Sequence, residues 1–305
     1  MRSKRILSLL LLLAVVLSAF APALSTRVAA QEPDPAIERA RAMLEQMRPE
    51  ERVGQLFLVT FQGTDVGAES QIFNLISNYH IGGVVLTAAN DNIAAAPDSI
   101  SATYDLIAQL QNLEWQASRI PDIDPVSRDY LYDEYIPLFV GIAQTGDSSP
   151  ENQILSGLSS HSSQMAIGAA WQTKLAEQTG FILGQELSAL GFNLFFGPSL
   201  DVLESPETLQ GTTLGSNVFG GDPYWVAEMG RAYVGGLHDG SDGRLVVVAT
   251  HFPGSGSADR PAGDEPATVR KLIEELKQFD FAPFVAVTGN AISPQTTVDG
   301  LLVSH

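Results

Sequence analysis

Polar side chains that could carry chemistry stand at the ends of several apolar runs of the chain. Asp201, His251 and His305 each close or directly follow such a run, and Gln144 does the same earlier in the sequence. In barrels and open parallel sheets, ligands bind at the C-terminal ends of the strands. These residues therefore predict one pocket that offers a carboxylate and imidazoles to a ligand. The alternative for each residue alone is structural, with Asp201 capping the next turn and His251 a hydrogen-bonded core histidine.

Short apolar runs alternate with helical patterns along the chain. The predicted strands are residues 55–61, 82–87, 137–144, 192–198, 244–251 and 300–305. The predicted helices are residues 36–47, 68–78, 99–119, 172–190, 223–238 and 267–287. In the first helix Asp34 is placed as the cap, and Ile37, Ala40, Leu44 and Met47 recur on one face. The alternation predicts a parallel α/β fold, which brings the strand ends to one edge.

The first thirty residues have the three-part pattern of a secretory signal peptide. Arg2, Lys4 and Arg5 precede an apolar run, and small residues then lead to Ala30, after which cleavage is expected. The run has about 15 residues, short of the roughly 20 that span a bilayer, so a retained membrane anchor is the less favoured alternative. We expect residues 1–30 to be a signal peptide and residues 31–305 to form a secreted or otherwise extracytoplasmic bacterial domain without a stable membrane anchor.

The composition excludes several classes of function. Lys and Arg number 17 against 35 Asp and Glu, giving a formal net charge of -18, which argues against nucleic acid as a partner. The chain has no Cys, so it forms no disulfide, no thiolate metal site and no cysteine nucleophile. The five His are far apart in sequence, and neither a metal nor another cofactor is expected.

Two connections are longer than strand–helix units require. Residues 120–136 are rich in Pro, Asp and Tyr, and residues 145–164 are rich in Ser and Gly. Loops of this size are either functional lids or tolerated insertions, and we favour insertions. The Asp residues of the first connection lack the Gly and the terminal Glu of a calcium loop, so a solvated acidic insertion is expected there.

Four groups of motifs, read in order, resemble a known family. They are residues 47–57 with 81–86, residues 183–193 running into 197–202, residues 218–223, and residues 251–254 followed by 281–284 and 303–305. This series resembles the N-terminal barrel of family 3 glycoside hydrolases, in the β-N-acetylhexosaminidase branch. The resemblance implies a TIM (β/α)8-type barrel and a carbohydrate substrate. With six strands in view, the chain is expected to hold about six of the eight β/α units.

The resemblance also implies a retaining mechanism, in which a carboxylate nucleophile forms a glycosyl-enzyme and a second group acts as acid and then base. The nucleophile belongs on the seventh strand and is expected beyond His305, so the catalytic residues are unknown. His251 and Asp201 match sugar-gripping positions of the family pattern. Three others depart from it: Thr250 replaces a Lys, Ala143 an Asp and Asn217 an Arg. The loop 255–264, where the family's acid/base His is expected, contains no His.

Other residues could replace the missing groups. Asp259 or Asp264 could supply a general acid if burial raised its pKa, although both are more simply solvated loop carboxylates. Asn217 and Gln144 could still bind sugar hydroxyls as neutral partners. Two functions stay open: an exported glycoside hydrolase acting on β-linked N-acetylhexosaminides or β-glucosides, and a catalytically degenerate barrel that binds glycans or a partner without turnover.

Overall fold

Six parallel strands form the sheet that positions the site, and they follow one another across the sheet in chain order. The computed structural model describes residues 34–123, 126–146, 152–204, 214–259 and 268–303. The sheet strands are β1 Leu58–Val59, β2 Gly83–Val85, β5 Phe139–Ile142, β6 Leu194–Ser199, β7 Val246–Phe252 and β8 Gly300–Val303. All six fall inside the strands predicted from apolar runs or end within one residue of them, and the curled sheet confirms an incomplete TIM-type barrel. The predicted signal peptide, Asp264 and His305 lie outside the described residues.

The helices follow the predicted alternation. They are α1 Pro35–Gln46, α2 Pro49–Gly54, α3 Gln71–Tyr79, α4 Ser99–Ala117, α5 Gln164–Ala169, α6 Thr173–Leu190, α7 Pro223–Gly240, α8 Ile273–Gln278 and α9 Phe281–Ala286. Helices α6 and α7 approach so closely that a Cβ at Gly184 would lie 2.4 Å from the carbonyl oxygen of Leu237, and one at Gly236 2.1 Å from that of Glu177. Glycine at these positions lets the two backbones touch and holds the helices behind the strands that carry the site.

Two structural units divide the chain, Met1–Gln46 and Met47–His305. The described part of the first unit is Asp34 and helix α1, where the Asp34 carboxylate accepts a hydrogen bond of 2.9 Å from the N–H of Ala36, as a cap does. The predicted apolar face of this helix is exposed, since Ile37 and Leu44 are both about half accessible. No helix among the described residues has the length and apolar character needed to cross a membrane.

The region predicted as one helix, residues 267–287, contains two short helices, so that prediction was wrong. Lys271 and Asp280 form an ion pair of 2.8 Å in which the carboxylate is fully buried. Along a continuous helix these residues would stand about 13 Å apart. The pair therefore forms because the chain turns between α8 and α9, and periodicity alone gave no sign of that turn.

The connection 120–136 holds a small antiparallel hairpin, β3 Asp122–Ile123 with β4 Tyr130–Leu131. Arg48, just before α2, fastens it with an ion pair of 3.0 Å to Asp122 and a second to Asp133. The Glu51 carboxylate accepts a hydrogen bond of 3.0 Å from the N–H of Glu134. The acidic insertion is thus attached to the start of the barrel by a buried Glu and a shared Arg.

A buried carboxyl group lies next to this attachment. Glu114, near the end of α4, is 7 % exposed, and burial raises its pKa to about 7, with the negative charges of Asp133 and Glu51 adding to the shift and a backbone hydrogen bond from Ile136 opposing it. The cluster lies where strands β2 and β5 begin, at the end of the sheet opposite the strand ends that carry the predicted pocket.

Strand β1 lies at one edge of the six-stranded sheet, and apolar side chains surround it. Leu56 and Phe57 are mostly exposed, and an apolar cleft of ≈ 630 Å³ opens beside them, lined by Val53, Leu75 and Tyr79 among others. A parallel sheet with such an edge exposes unpaired backbone groups as well as apolar area.

Candidate functional site

The centre of the candidate site is Asp201, which follows β6 and is fully buried. One carboxylate oxygen lies 2.7 Å from Nδ1 of His251 and accepts a 2.8 Å hydrogen bond from the hydroxyl of Ser199. The other oxygen accepts a 2.6 Å hydrogen bond from the N–H of Ser255. Since a carboxylate can only accept, Nδ1 of His251 carries the proton of this contact. The arrangement fixes the orientation and tautomer of an imidazole whose side chain remains 38 % exposed.

Backbone geometry at the two strand ends brings these residues together. Strands β6 and β7 stay paired up to the site, where the N–H of Leu200 donates to the carbonyl oxygen of Thr250 at 2.7 Å. Gly254 has a φ of 132°, a backbone conformation that residues other than glycine rarely adopt. A Cβ at Gly256 would lie 1.8 Å from the carbonyl oxygen of Val202. These two glycines let the loop after β7 press against the loop after β6 and aim Ser255 N–H at Asp201.

A cavity of ≈ 130 Å³ opens beside the pair, among residues at the C-terminal ends of β5, β6 and β7. His251 and Ser199 line it from the strand ends, and Tyr233 and Phe195 contribute apolar wall. The cavity thus joins the exposed imidazole to a largely apolar interior. A ligand there would meet few polar groups, each of which would fix its orientation.

Gln144 and Asn217, predicted as neutral sugar-binding residues, also line this cavity and are buried. The Gln144 side chain, however, holds the backbone of the next loop. Its amide nitrogen donates to the carbonyl oxygen of Ile154 at 2.8 Å, and its oxygen accepts from the N–H groups of Gln153 and Ile154 at 3.0 Å each. Gln144 therefore shapes the wall of the cavity, and sugar binding by either residue stays a prediction.

The acid/base candidate Asp259 is not among the described residues that line the cavity. Its side chain is exposed and accepts a 2.8 Å hydrogen bond from the N–H of Thr268, while its own N–H donates to the carbonyl oxygen of Thr268 at 3.1 Å. These two bonds join Asp259 to Thr268, whereas Asp264 lies outside the described residues. A role in proton transfer stays a prediction for both carboxylates.

Sequence reasoning missed Gln164, the first residue of α5. Its buried side chain donates to the carbonyl oxygen of Ser199 at 3.1 Å and accepts from the N–H of Ser199 at 3.2 Å. This pairing holds the residue whose hydroxyl contacts Asp201. The available signal was Ser163, whose hydroxyl caps α5 by accepting from the N–H of Ala166.

The Lys271–Asp280 pair, also missed, lies under the loop after β7. A Cβ at Gly254 would come within 2.9 Å of the Asp280 side chain. Burial, the largest influence, raises the pKa of Asp280 above its ordinary value, although the hydrogen bonds from Lys271 lower it. In the part of the chain that the structure describes, no group of three or more His, Asp or Glu could hold a metal ion.

Comparison with known proteins places this site in a family. The family model described as "Glycosyl hydrolase family 3 N terminal domain" matches residues 49–305. The chain belongs to this family. The resemblance found in the motifs is thereby confirmed, and with it the fold class.

Individual members of glycosyl hydrolase family 3 match at low identity. A β-hexosaminidase from Pseudomonas aeruginosa (strain LESB58) is 28% identical over 132 residues, covering 43% of this chain and 36% of its own length. A family 3 β-N-acetylglucosaminidase from Paenibacillus sp. has a TM-score of 0.65 at 24% identity, over 84% of this chain and 43% of that one. NagZ from Neisseria gonorrhoeae in complex with N-trifluoroacetyl-D-glucosamine has a TM-score of 0.61 at 19% identity, over 82% of this chain and 64% of that one. The chain spans about a third of the length of the curated relative.

Within this glycosyl hydrolase family 3 domain, the three departures from the family pattern occupy one place. Thr250, Ala143 and Asn217 all line the cavity that His251 enters. The residues that the resemblance implies at these positions are Lys, Asp and Arg, so three charged side chains are replaced by uncharged ones around one cavity. Apart from His251, with Asp201 behind it, the described wall of this cavity lacks ionisable groups other than the buried phenol of Tyr233.

Proposed function

We propose that the complete protein is an exported glycoside hydrolase that acts on β-linked N-acetylhexosaminides by the retaining mechanism of its family. The observation that carries the proposal is the buried Asp201 carboxylate held 2.7 Å from His251 at the mouth of a cavity between the strand ends. Family membership supports hydrolysis of glycosidic bonds, and the names of the relatives support the N-acetylhexosaminide class.

In this proposal His251 binds a sugar hydroxyl and Asp201 is its positioning residue. The carboxylate holds the imidazole in one tautomer and strengthens its hydrogen bond to the sugar, because a bond that involves an ionised partner is stronger than a neutral one. The cavity wall from Phe195 and Tyr233 meets the apolar faces of the sugar. Asp259 and Asp264 are the candidates for the acid that protonates the leaving oxygen.

The test is turnover of a chromogenic β-N-acetylglucosaminide by the full-length protein. His251→Ala is expected to lower kcat/KM at least about 100-fold if the imidazole contacts the sugar in the transition state. Asp105→Asn, an exposed carboxylate on α4, is the matched control and should leave kcat/KM unchanged. Hydrolysis that proceeds equally well without His251 would reject this assignment of the site.

Separate variants of Asp259 and Asp264 test which of the two is the general acid. Whichever residue is the general acid, its change to Asn should lower kcat by about 100-fold or more, most strongly for substrates with poor leaving groups. The other variant then serves as the control on the same loop. Full activity in both variants would place the acid elsewhere.

A catalytically degenerate glycan-binding barrel is the second candidate, and one observation favours it. The three uncharged replacements lie together in the cavity, where charged hydrogen bonds would otherwise grip the sugar in the transition state. This candidate predicts that the full-length protein binds N-acetylglucosamine oligosaccharides in calorimetry but releases no chromophore. Restoring Lys at Thr250 and Arg at Asn217 would then be the direct attempt to recover turnover.

Export is proposed from the N-terminal sequence. A basic start, an apolar run and the small residues before Gln31 have the order of a signal peptide. Expression in a bacterial host should give a mature protein outside the cytoplasm that begins at Gln31, which intact-mass measurement checks. An uncleaved protein in the cytoplasmic fraction would contradict the proposal.

A further inference from the structure

A stacked pair of tryptophans, of which Trp171 is exposed and Trp225 half-buried, stands on the same side of the barrel as the candidate site. The rings of Trp171 and Trp225 are stacked, with centroids 4.8 Å apart and planes inclined by 26°. Trp171 is 66 % exposed, and the neighbouring Tyr224 is 71 % exposed. Trp171 comes just before α6, and the other two lie in the first turn of α7. In a β/α barrel the helices run antiparallel to the strands, so their first turns lie at the strand ends that carry the site.

Local contacts hold this aromatic pair in a fixed position. The indole N–H of Trp225 donates to the carbonyl oxygen of Gly168 at 3.0 Å, and its backbone N–H donates to the cap Asp222 at 2.9 Å. The N–H of Trp171 donates to the same carbonyl of Gly168 at 3.1 Å. These hydrogen bonds hold the two rings in place before a ligand binds. Little conformational freedom is then lost on binding to the exposed face of Trp171, which lowers the entropic cost of binding.

Helix α5 connects the aromatic pair to the site. It begins at Gln164, which is paired with Ser199 beside Asp201, and it ends at Ala169, two residues before Trp171. Trp171 comes seven residues after Gln164, which corresponds to about 10 Å at the rise per residue of an α-helix. A glycan whose terminal sugar enters the cavity could reach that distance with its second or third sugar.

The apolar indole surface and the negative charge of the chain indicate which class of ligand binds there. A flat indole offers apolar area, and the C–H faces of pyranose rings match it while their hydroxyls stay in water. Aromatic platforms also stack nucleic acid bases, but those sites depend on a basic groove, whereas this chain has a net charge of -18. A neutral carbohydrate is therefore the ligand that the surface fits best.

We propose that Trp171, backed by Trp225 and flanked by Tyr224, is a sugar-binding platform for a distal unit of an extended neutral glycan. The proposal deepens the proposed function, on which it rests for the class of ligand. In this proposal the cavity holds the terminal sugar, and Trp171 adds affinity for oligosaccharides only. The platform thus makes the protein prefer longer glycans.

The test compares two probes with the full-length protein in calorimetry, N-acetylglucosamine and its β-1,4-linked tetramer. Trp171→Ala should weaken tetramer binding by about twofold to tenfold, the range expected for the loss of one aromatic contact, and leave monosaccharide binding unchanged. Trp171→Phe should keep most of the tetramer affinity. Tyr104→Ala, at an aromatic residue of α4 that is 54 % exposed, is the matched control and should change neither affinity. Equal melting temperatures would establish that the variants fold.

Several outcomes would overturn the platform. Equal losses for both sugars, or unchanged tetramer affinity in Trp171→Ala, would contradict it, as would a concentration-dependent dimer of the wild type that Trp171→Ala abolishes. The proposed function fails separately. If tetramer binding depends on Trp171 while no chromogenic substrate is turned over, the platform stands and hydrolysis is rejected. If neither sugar binds the wild type, both proposals are rejected.

Discussion

The imidazole of His251 and the carboxylate of Asp201 lie 2.7 Å apart although 50 residues separate them in the sequence. They meet because parallel strands β6 and β7 are neighbours, and the residues after both strands emerge at the same edge of the sheet. Three hydrogen bonds reach the buried carboxylate, from Nδ1 of His251, the Ser199 hydroxyl and the N–H of Ser255. The N–H of Asp201 itself donates to the Ser199 hydroxyl. The relationship fixes an exposed imidazole, and apart from Asp201 the described residues place no charged side chain beside it in the cavity.

Asp201→Asn is expected to loosen this arrangement. An amide cannot accept hydrogen bonds at both of its ends. The N–H of Ser255 can only donate, whereas the imidazole can move its proton to Nε2, so we expect the amide oxygen to face Ser255 and the amide nitrogen to face Nδ1 of His251. We expect the free energy of unfolding to fall by about 1–3 kcal/mol and the histidine to change tautomer. Urea denaturation measures the first effect, and nitrogen NMR shifts of the imidazole measure the second. Asp105→Asn is the control, and an unchanged tautomer would contradict the orienting role of Asp201.

Gly256→Ala tests the contact between the two loops. The new Cβ would lie 1.8 Å from the carbonyl oxygen of Val202, so the backbone must shift and carry Ser255 N–H away from Asp201. We expect a loss of about 1–3 kcal/mol in the free energy of unfolding, together with weaker sugar binding. At Gly289 a Cβ would meet open space, so Gly289→Ala should cost less than about 0.5 kcal/mol. Similar losses in both variants would show that the loop contact has no special role.

The sequence predicted the sheet, and with it the place of Asp201 and His251, because buried strands leave apolar runs whose ends are visible. It did not predict Gln164, since a helix of six residues within a Ser- and Gly-rich stretch is too short to show a period. The strands at Asp122 and Tyr130 have two residues each and leave no alternation to detect. The turn between α8 and α9 brings Lys271 and Asp280 into a buried contact, which is a property of tertiary packing and leaves no periodic signal in the sequence.

Glu114 should make stability depend on pH near neutrality. Its pKa is raised from 4.5 to about 7 in the folded chain, so the folded state binds more protons than the unfolded state between these values. This contribution of Glu114 to the free energy of unfolding is fully present below about pH 4.5. It is lost as the pH rises toward 7, on the order of 3 kcal/mol in all. Glu114→Gln should remove this decline in urea denaturation at pH 5 and pH 8. Glu69→Gln, an exposed carboxylate, should keep the wild-type decline, and a decline that persists in Glu114→Gln would contradict the assignment.

His238 and Asp299 should contribute stability in a narrower window of pH. Burial lowers the pKa of His238, but Asp299 at 3.1 Å from Nε2 and the Gln295 carbonyl oxygen at 2.7 Å from Nδ1 raise it above its ordinary value, because both acceptors favour the doubly protonated ring. Burial raises the pKa of Asp299, yet His238 and the N–H of Val247 lower it overall. Because its pKa is raised on folding, His238 stabilises the fold fully below about pH 6.5. This effect is lost as the pH rises through the pKa that His238 has in the folded state.

Because its pKa is lowered on folding, Asp299 stabilises the fold above about pH 4, and this effect is lost as the pH falls. The His238–Asp299 pair therefore contributes most between about pH 4 and 6.5. Asp299→Asn should therefore destabilise the protein more at pH 5.5 than at pH 8, because the imidazolium loses its charged partner only where it is protonated. Urea denaturation at the two pH values measures the difference. His161→Gln, at a histidine outside this pair, should cause the same small change at both, and a constant effect of Asp299→Asn across this range would reject the pairing as the source of the pH dependence.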